Sequence, residues 1–315
     1  VITVVGEALV DLVHGPTGDV VAHPGGSPAN VAVGLGRLGV PVHLVTRFGR
    51  DRYGAMLAEH LAASSVHPAP DTVSERPTSV ARAHLNASGA ADYDFDITWD
   101  LPDTARVLVG STCVHTGSIA ATLAPGAAAV RRLLEGARGR AVLSYDPNCR
   151  PSLMGDPASV RARIESLVGL CDVIKASDAD LEWLYPGRDF ADVADGWLAL
   201  GPALVVVTRG GAGSYGVCAA GAVAVPADAV RVVDTVGAGD AYQAGLLYAL
   251  RRRALLDRHT AALARLDQAA LAAILTQASA VAAITCGRPG ADPPTATELA
   301  AYRAAAVTHR EIPDR

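Results

Sequence analysis

The sequence is almost without lysine: of its 27 basic side chains Lys175 alone is a lysine, and the rest are arginines. No Gly-Lys-Ser or Gly-Lys-Thr can exist, which excludes the Walker A phosphate loop. Cysteines number five (Cys113, Cys149, Cys171, Cys218 and Cys286), with no Cys-x-x-Cys pair. An odd, scattered set argues against a zinc site or a disulfide framework, and the expected location is the reducing cytoplasm. A strong excess of charge is missing too. The formal net charge of −5 offers no basic field for nucleic acid or an anionic membrane. The apolar start VITVVGEALVDLV carries Glu7 and Asp11 and has no basic flank, so it reads as a buried strand and not a signal peptide. The run from Ala269 to Cys286 approaches membrane-span length. Thr276, Gln277 and Ser279 interrupt it, and a packed core helix is expected.

Half of the 315 residues are apolar, enough for one large α/β unit with a small appendage. Short β-branched runs alternate with Ala/Leu-rich segments, the rhythm of βαβ units around a parallel sheet. Strands are expected at Ile2–Val5, Val42–Thr46, Arg106–Val109, Ala141–Tyr145, Asp172–Ile174 and Leu204–Thr208. Helices are expected at Pro28–Leu38, Tyr53–Ala63, Gly126–Ala137, Ser159–Leu167, Asp178–Leu184, Ala241–Arg252, Gln268–Ile284 and Ala296–Ala305. The end, THREIPDR, reads as a loose tail.

Two stretches break the rhythm. TSVARAHLNASGAADYDFDI reads as a hairpin, and LVHGPTGDVVAHPGG as a second strand pair around Gly15–Gly18. Strands inserted at about 11–24 and 77–98 would form a small sheet over one edge of the core. Such a sheet is a lid candidate, since lids keep water from transfer chemistry. The alternation of Tyr93, Phe95 and Ile97 would suit a homodimer in which two lids pair.

Residues 234–245, DTVGAGDAYQAG, set Gly237, Ala238 and Gly239 before Asp240 at a helix start. A helix N-terminus attracts anions through unpaired N–H groups and its dipole. Asp240 could cap the helix or do chemistry there. A second glycine cluster, GGSPANVAVGLGRLG (Gly25–Gly39), contains a formal G-x-G-x-x-G at Gly34, Gly36 and Gly39. A dinucleotide fingerprint needs those glycines between strand and helix, whereas here they fall late in a helix. Ser27 would cap that helix, Pro28 suits its first position and Gly39 its end.

GGSPANVAVGLGRLG and DTVGAGDAYQAGLLYAL resemble, in that order, the two signatures of the ribokinase-like pfkB family of carbohydrate kinases; GRDRYG (Gly49–Gly54) resembles a third element. The resemblance spans Ile2 to about Arg303 and implies a three-layer α/β/α core with a mostly parallel sheet plus a small β-sheet lid, one kinase domain over 1–315. It also implies ATP, Mg²⁺ and K⁺ as cofactors and a small sugar as partner.

By that resemblance Asp240 is the base for the acceptor hydroxyl, and Gly237, Ala238 and Gly239 form the anion hole for the transferred phosphoryl group. Asp11, Gly25, Gly26 and Asn30 match sugar-contacting positions, and a dense array of hydroxyls suits short carboxylate and amide groups. YDPNCRP resembles the fructokinase form of a family motif, with Arg150 clamping a hydroxyl-rich or phosphate group; a surface arginine after a turn is the plain alternative. VTRGGAGSYG resembles the nucleotide-phosphate loop, with Thr208, Gly210 and Gly213 matching its pattern, though an ordinary hairpin turn reads the same way. Asp234 and Val236, with Thr285, Arg288 and Gly290 in AAITCGRPGADPP, resemble a monovalent-cation site; alone they are a strand-end carboxylate and a turn. The family's Asn-x-x-Glu is replaced here by Ser177 and Asp180, leaving for Ser177 a water-mediated role toward magnesium and ATP. Lys175, just before it, could reach phosphate or be an exposed strand-end charge.

The resemblance thus implies an ATP-dependent kinase acting on a primary hydroxyl, with fructose to fructose 6-phosphate first. Ribose, 2-keto-3-deoxygluconate, a nucleoside, or a non-catalytic regulator on the same scaffold are the alternatives.

Overall fold

The computed structural model describes residues 1–14, 19–85, 91–101, 108–257 and 262–310. Its strands in chain order begin with β1 (Ile2–Val5), β2 (Leu9–His14), β3 (Val20–Gly25), β4 (Val42–Val45) and β5 (Phe48–Gly49). Then come β6 (Val66–Pro68), β7 (Val73–Ser74), β8 (Val80–Leu85), β9 (Ala91–Asp96) and β10 (Cys113–Gly117). The last five are β11 (Val142–Asp146), β12 (Val173–Ser177), β13 (Leu204–Thr208), β14 (Ser214–Cys218) and β15 (Gly221–Val225). The helices are α1 (Ser27–Arg37), α2 (Arg52–Ala63), α3 (Gly126–Ala137), α4 (Pro151–Met154) and α5 (Pro157–Val168). They continue with α6 (Asp178–Leu184), α7 (Phe190–Leu198), α8 (Ala238–Arg252), α9 (Gln268–Cys286) and α10 (Ala296–Arg310).

Nine strands form the main sheet in the order β15-β14-β13-β12-β11-β10-β1-β4-β6. From β6 to β13 neighbours run parallel; β14 and β15 add an antiparallel edge. The inner strands are buried on both faces, which is why β1 reads ITVV and β13 LVVV without a polar alternation. Residues of α1, α2, α8 and α9 cover one face, and those of α3, α5, α6 and α7 the other. This is the expected layered α/β architecture.

A separate four-stranded sheet has the order β3-β2-β8-β9, with hairpins β2–β3 and β8–β9 joined by a parallel β2–β8 pairing. Both expected hairpins are therefore present. The turn at 15–18 and the side chain of Tyr93 lie outside the described residues.

Other expectations need correction. Leu108 and Val109 lie in a turn, and residues 106–107 fall outside the described set; the strand is β10, farther on. Its CVHTG reads poorly as a strand because His115 and Thr116 are buried polar groups. β14 and β15 are absent from the expected strands: the loop or hairpin turn expected at Val207–Gly216 runs into β14, where Gly216 blurs the pattern. A Cβ at Gly216 would come within 3.0 Å of Leu275, so closeness to α9 dictates the glycine. α10 continues to Arg310, past the expected start of a loose tail; residues 311–315 lie outside the described set.

The late glycines of α1 serve helix packing. A Cβ at Gly34 would lie 2.7 Å from the Ala244 methyl on α8, and one at Gly36 would lie 2.1 Å from the Ser64 carbonyl. The 19 residues of α9 are long and apolar enough to cross a membrane by composition. Here Leu271, Ile274, Leu275 and Ala278 are buried in the core beside α8, which accounts for their apolarity.

Candidate active site

Gly237 is the N-cap of α8, with φ of 74° in the left-handed region, and a Cβ there would meet the Ala291 methyl at 2.5 Å. Both facts demand glycine. The helix begins three residues before the expected start, so Ala238, Gly239 and Asp240 form its first turn. Asp240 makes no capping bond. Its carboxylate instead accepts from Ser27 Oγ at 2.7 Å and from Asn30 Nδ2 at 2.8 Å. Ser27 was expected to cap α1, but the N-cap is Gly26, at φ 97°. The starts of α1 and α8 thus meet over one buried carboxylate, and both positive helix ends favour an anion there.

Gly25 and Gly26 are fixed by close approach. A Cβ on Gly25 would lie 2.1 Å from Asp11 Oδ2, and one on Gly26 2.6 Å from the Glu7 carbonyl. Asp11 projects from β2, the strand paired on both sides in the small sheet. Burial pushes its carboxyl up to about 6, Arg150 and His23 oppose that, and Asp240 adds to it. Asp11, Arg150 and Asp240 therefore share one electrostatic neighbourhood, although Arg150 itself is exposed. The Asp-Pro-Asn turn ahead of Arg150 is shaped locally: Asn148 has φ 36° and its N–H donates to Asp146 Oδ1, while Arg150 Nη1 donates to Asn148 Oδ1 at 2.6 Å. Asp11, Gly25, Gly26, Asn30, Arg150 and Asp240 are brought together.

Beneath α8 lies a polar layer. Gln243 Nε2 donates to Ser144 Oγ at 3.0 Å, and Ser144 Oγ lies 3.1 Å from His115 Nδ1. Burial, with the Lys175 charge, lowers the His115 pKa to about 3, so the ring is neutral. Lys175 corrects the surface reading outright: it is 3% exposed and its Nζ lies 2.6 Å from Asp146 Oδ2. Burial opposes the charge on Lys175, but Asp146, Asp180 and Asp240 outweigh it and hold the ammonium protonated. Burial pushes the Asp146 carboxyl up to about 6 against the pull of Lys175. Removing one partner of such a pair typically costs about 3–5 kcal/mol.

Ser177 and Asp180 form a capping box on α6: Asp180 Oδ2 accepts from Ser177 N at 2.9 Å and Oγ at 2.7 Å, and Ser177 Oγ accepts from Asp180 N. Asp180 Oδ1 accepts from Cys149 N at 2.7 Å. Both carboxylate oxygens are engaged in holding backbone. Ser177 is paired in register with Thr208 across β12 and β13, and the Thr208 hydroxyl donates to the Ala176 carbonyl at 3.4 Å. In the loop that follows, Gly213 has φ 90° and a Cβ there would strike the Val225 carbonyl at 2.1 Å; Gly210, at φ 49°, is open. Ser177, Thr208, Gly210 and Gly213 form a group of their own, tied to the Asp240 cluster through β12 and Lys175.

Asp234 Oδ2 accepts from Gly290 N at 2.8 Å and Oδ1 from Val236 N at 3.0 Å. Those backbone donors hold its carboxyl below the usual range. The Arg288 side chain is turned to Asp292 and Glu298, leaving only its carbonyl for an ion. Asp234, Val236, Gly290 and the end of α9 with Thr285 and Arg288 are therefore neighbours, and Ala291 against Gly237 joins them to the start of α8.

The sequence reading left Lys175 unassigned and passed over Ser27, Asp146, Glu7 and the His115–Ser144–Gln243 layer as site groups. A lysine found once in the chain, on a strand end, was the available signal for one of them. Gln243 stands one turn beyond Asp240 on the same helix face.

Glu7, in the β1–β2 connection, accepts from Ala120 N at 3.1 Å, and burial pushes its carboxyl up from 4.5 to about 8. Between those values the unfolded chain releases the proton while the folded one keeps it, so stability falls as pH rises through the window. Glu7→Gln keeps the acceptor oxygen and removes the titration. Urea unfolding at about pH 5.5, 7 and 8.5 will give the variant a flatter stability profile and a gain at the alkaline end; parallel profiles would reverse the assignment.

The profile of the pfkB family carbohydrate kinases matches residues 2–298. A fructokinase of Rhizobium leguminosarum bv. trifolii is 37% identical over 281 residues, 84% of each chain. The crystal structure of a fructokinase from Xylella fastidiosa with bound ATP superposes with a TM-score of 0.86 at 27% identity, covering 97% of this chain and 98% of that one. A double-mutant fructokinase from Vibrio cholerae O395, bound to fructose, ADP and a potassium ion, has a TM-score of 0.75 at 26% identity and covers 96% and 97%. With both glycine signatures folded around one carboxylate and the family profile spanning nearly the whole length, the chain belongs to the pfkB family of carbohydrate kinases.

Proposed function

We propose that the protein is an ATP-dependent fructokinase that transfers the γ-phosphoryl group to the primary 6-hydroxyl of fructose. The observation that carries the reading is the Asp240 carboxylate, held by Ser27 and Asn30 on the first turn of α8 directly after Gly237, Ala238 and Gly239. Those two donors fix its orientation and leave each oxygen a lone pair for a sugar hydroxyl. The hydroxyl proton passes to Asp240 as its oxygen attacks the γ-phosphorus, and the bond to the β,γ-bridging oxygen breaks to leave ADP. The backbone N–H groups at the start of α8 meet the charge on the transferring oxygens. Asp11 and Arg150 would hold further hydroxyls, with Asn30 and the Gly25–Gly26 backbone. Thr208, Gly210 and Gly213 would border the nucleotide phosphates, and the small sheet bearing Asp11 would act as the lid.

Two cations belong to this reading. Among the described residues no group of three or more His, Cys, Asp and Glu side chains could hold a metal. With the Asp180 oxygens already bonded to backbone, the fit is to magnesium arriving on ATP. For potassium the residues present fit well. Asp234, its carboxyl held below the usual range, is bonded to the Gly290 N–H and so ties together the two segments whose carbonyls, those of Asp234 and Val236 and those of Thr285, Arg288 and Gly290, would hold the ion. An ion there would supply fixed positive charge next to the anion hole.

Coupled ADP-release assays with fructose, ribose, 2-keto-3-deoxygluconate and adenosine test the function. Fructose is expected to give the highest kcat/KM, because buried polar groups left unpaired by an analogue discriminate strongly. Any competitor tenfold better than fructose overturns the substrate assignment, and no turnover on any of them overturns the kinase. Asp240→Asn keeps the shape but cannot take the proton. Its kcat is expected to drop by about 10²–10⁴-fold, with fructose and ATP affinities within a few-fold; near-normal turnover would remove Asp240 from the chemistry. Turnover in potassium is expected to exceed that in sodium, and both that in a bulky organic cation at matched ionic strength. Equal rates would leave the 285–290 loop a purely structural turn.

A further inference from the structure

Lys175 lies on β12 and its side chain is 4% exposed, with Asp146 as the ion-pair partner. The sequence places arginine at every other basic position, so a lysine here is a specific choice. A guanidinium is a rigid planar fork, whereas an ammonium is a compact point charge with three donors that rotate freely. Asp146 occupies one donor. The other direction that matters is toward α8: a Cβ placed on Gly239 would lie 3.5 Å from Lys175 Nζ. Gly239 is the second residue of the helix and carries no positive φ, so backbone conformation does not require the glycine. The missing side chain leaves nothing between the ammonium and the first turn of the helix, where the backbone N–H groups also converge.

Resting on the kinase reading above, we propose that Lys175 binds the phosphoryl group in transfer: its ammonium reaches an oxygen of that group past the bare Gly239. Asp146 is then a positioning residue that fixes the ammonium from below. Charge spreads over the three equatorial oxygens as the phosphoryl group moves, and a full positive charge adds to backbone N–H dipoles that are already in place. The competing account is that Lys175 only neutralises Asp146 inside the fold.

The two accounts separate on nucleotide selectivity. The Lys175→Met/Asp146→Asn double variant removes both charges and leaves no buried ion unpaired; Lys175→Gln alone still donates a hydrogen bond to Asp146 and is the milder companion. Thermal unfolding identifies whichever is folded, and calorimetry with Mg²⁺ then gives affinities for ADP and for the β,γ-methylene analogue of ATP. A folded variant is expected to bind ADP within about threefold of wild type and the analogue at least tenfold more weakly, with kcat on fructose lower by about 10²–10³-fold. Equal weakening of both nucleotides, or no change in either with kcat retained, reduces Lys175 to a counter-ion and overturns the inference. A wild-type protein that binds neither nucleotide overturns the kinase reading itself, a different result from a variant that keeps the wild-type ratio.

Discussion

The site depends on one constraint, the convergence of two helix starts on the Asp240 carboxylate. Ser27 and Asn30 belong to the first turn of α1, and Asp240 to that of α8, so the bonds between them need the helices almost in contact. That contact is possible because Gly34 faces Ala244 without a side chain of its own. α8 is held in turn by α9, where a Cβ on Gly245 would come within 3.0 Å of Ala278 and Val281, and by Gln243 bonded to Ser144 on the sheet. Of the glycines that look like a nucleotide fingerprint, Gly34 therefore acts in helix packing, and it sets the gap into which the Asp240 carboxylate fits.

The electrostatics follow from that geometry. Glu7, Asp11, Asp146 and Asp240 are gathered in one region, and burial raises the pKa of the first three. Such a site resists a polyphosphate unless positive charge is brought to the same place. Lys175, the two helix starts and Arg150 are the sources the chain supplies, and each sits at a different height. Lys175 lies under α8, the helix ends at its level, and Arg150 at the exposed rim. The neutral His115 ring beneath Lys175 fits the same logic, since a second buried cation there would weaken the hold of Asp146 on the first.

Much of this was legible in the sequence where one residue carries one constraint. The start of a helix after Gly237 and the apolar runs of β1 and β13, strands buried on both faces, could be read from local pattern, whereas the left-handed φ of Gly237 and the Asp11 oxygen over Gly25 could not. Legibility failed where a residue answers to a distant partner. β10 was missed because His115 and Thr116 are polar and buried, satisfied by groups on other strands. Ser27 read as a cap because local pattern cannot reveal that its partner is more than two hundred positions away. Lys175 could not be told from a surface charge, since only folding brings Asp146 beside it. The Ser177–Asp180 pair shows a further limit: Ser-x-x-Asp is a local capping box, but the bond from Cys149 N to the other Asp180 oxygen appears only on folding.

The arrangement also separates two tasks physically. The groups that would act on phosphate stand on the main sheet and on α8, embedded in a core that permits little movement. Those that would select the acceptor come partly from elsewhere: Asp11 from the small sheet, Arg150 from the turn after β11. Asp11 is still not loosely presented, because β2 is hydrogen-bonded along both edges, to β3 and to β8. β3 of the same sheet runs through Gly25 and Gly26 straight into Ser27 of α1, so the strand pairing that places Asp11 is continuous with the helix start that holds Asp240. Under the proposed function, the carboxylate that would pair a hydroxyl is thus carried by a hydrogen-bonded strand and not by a loop, which suits a site that must keep one geometry.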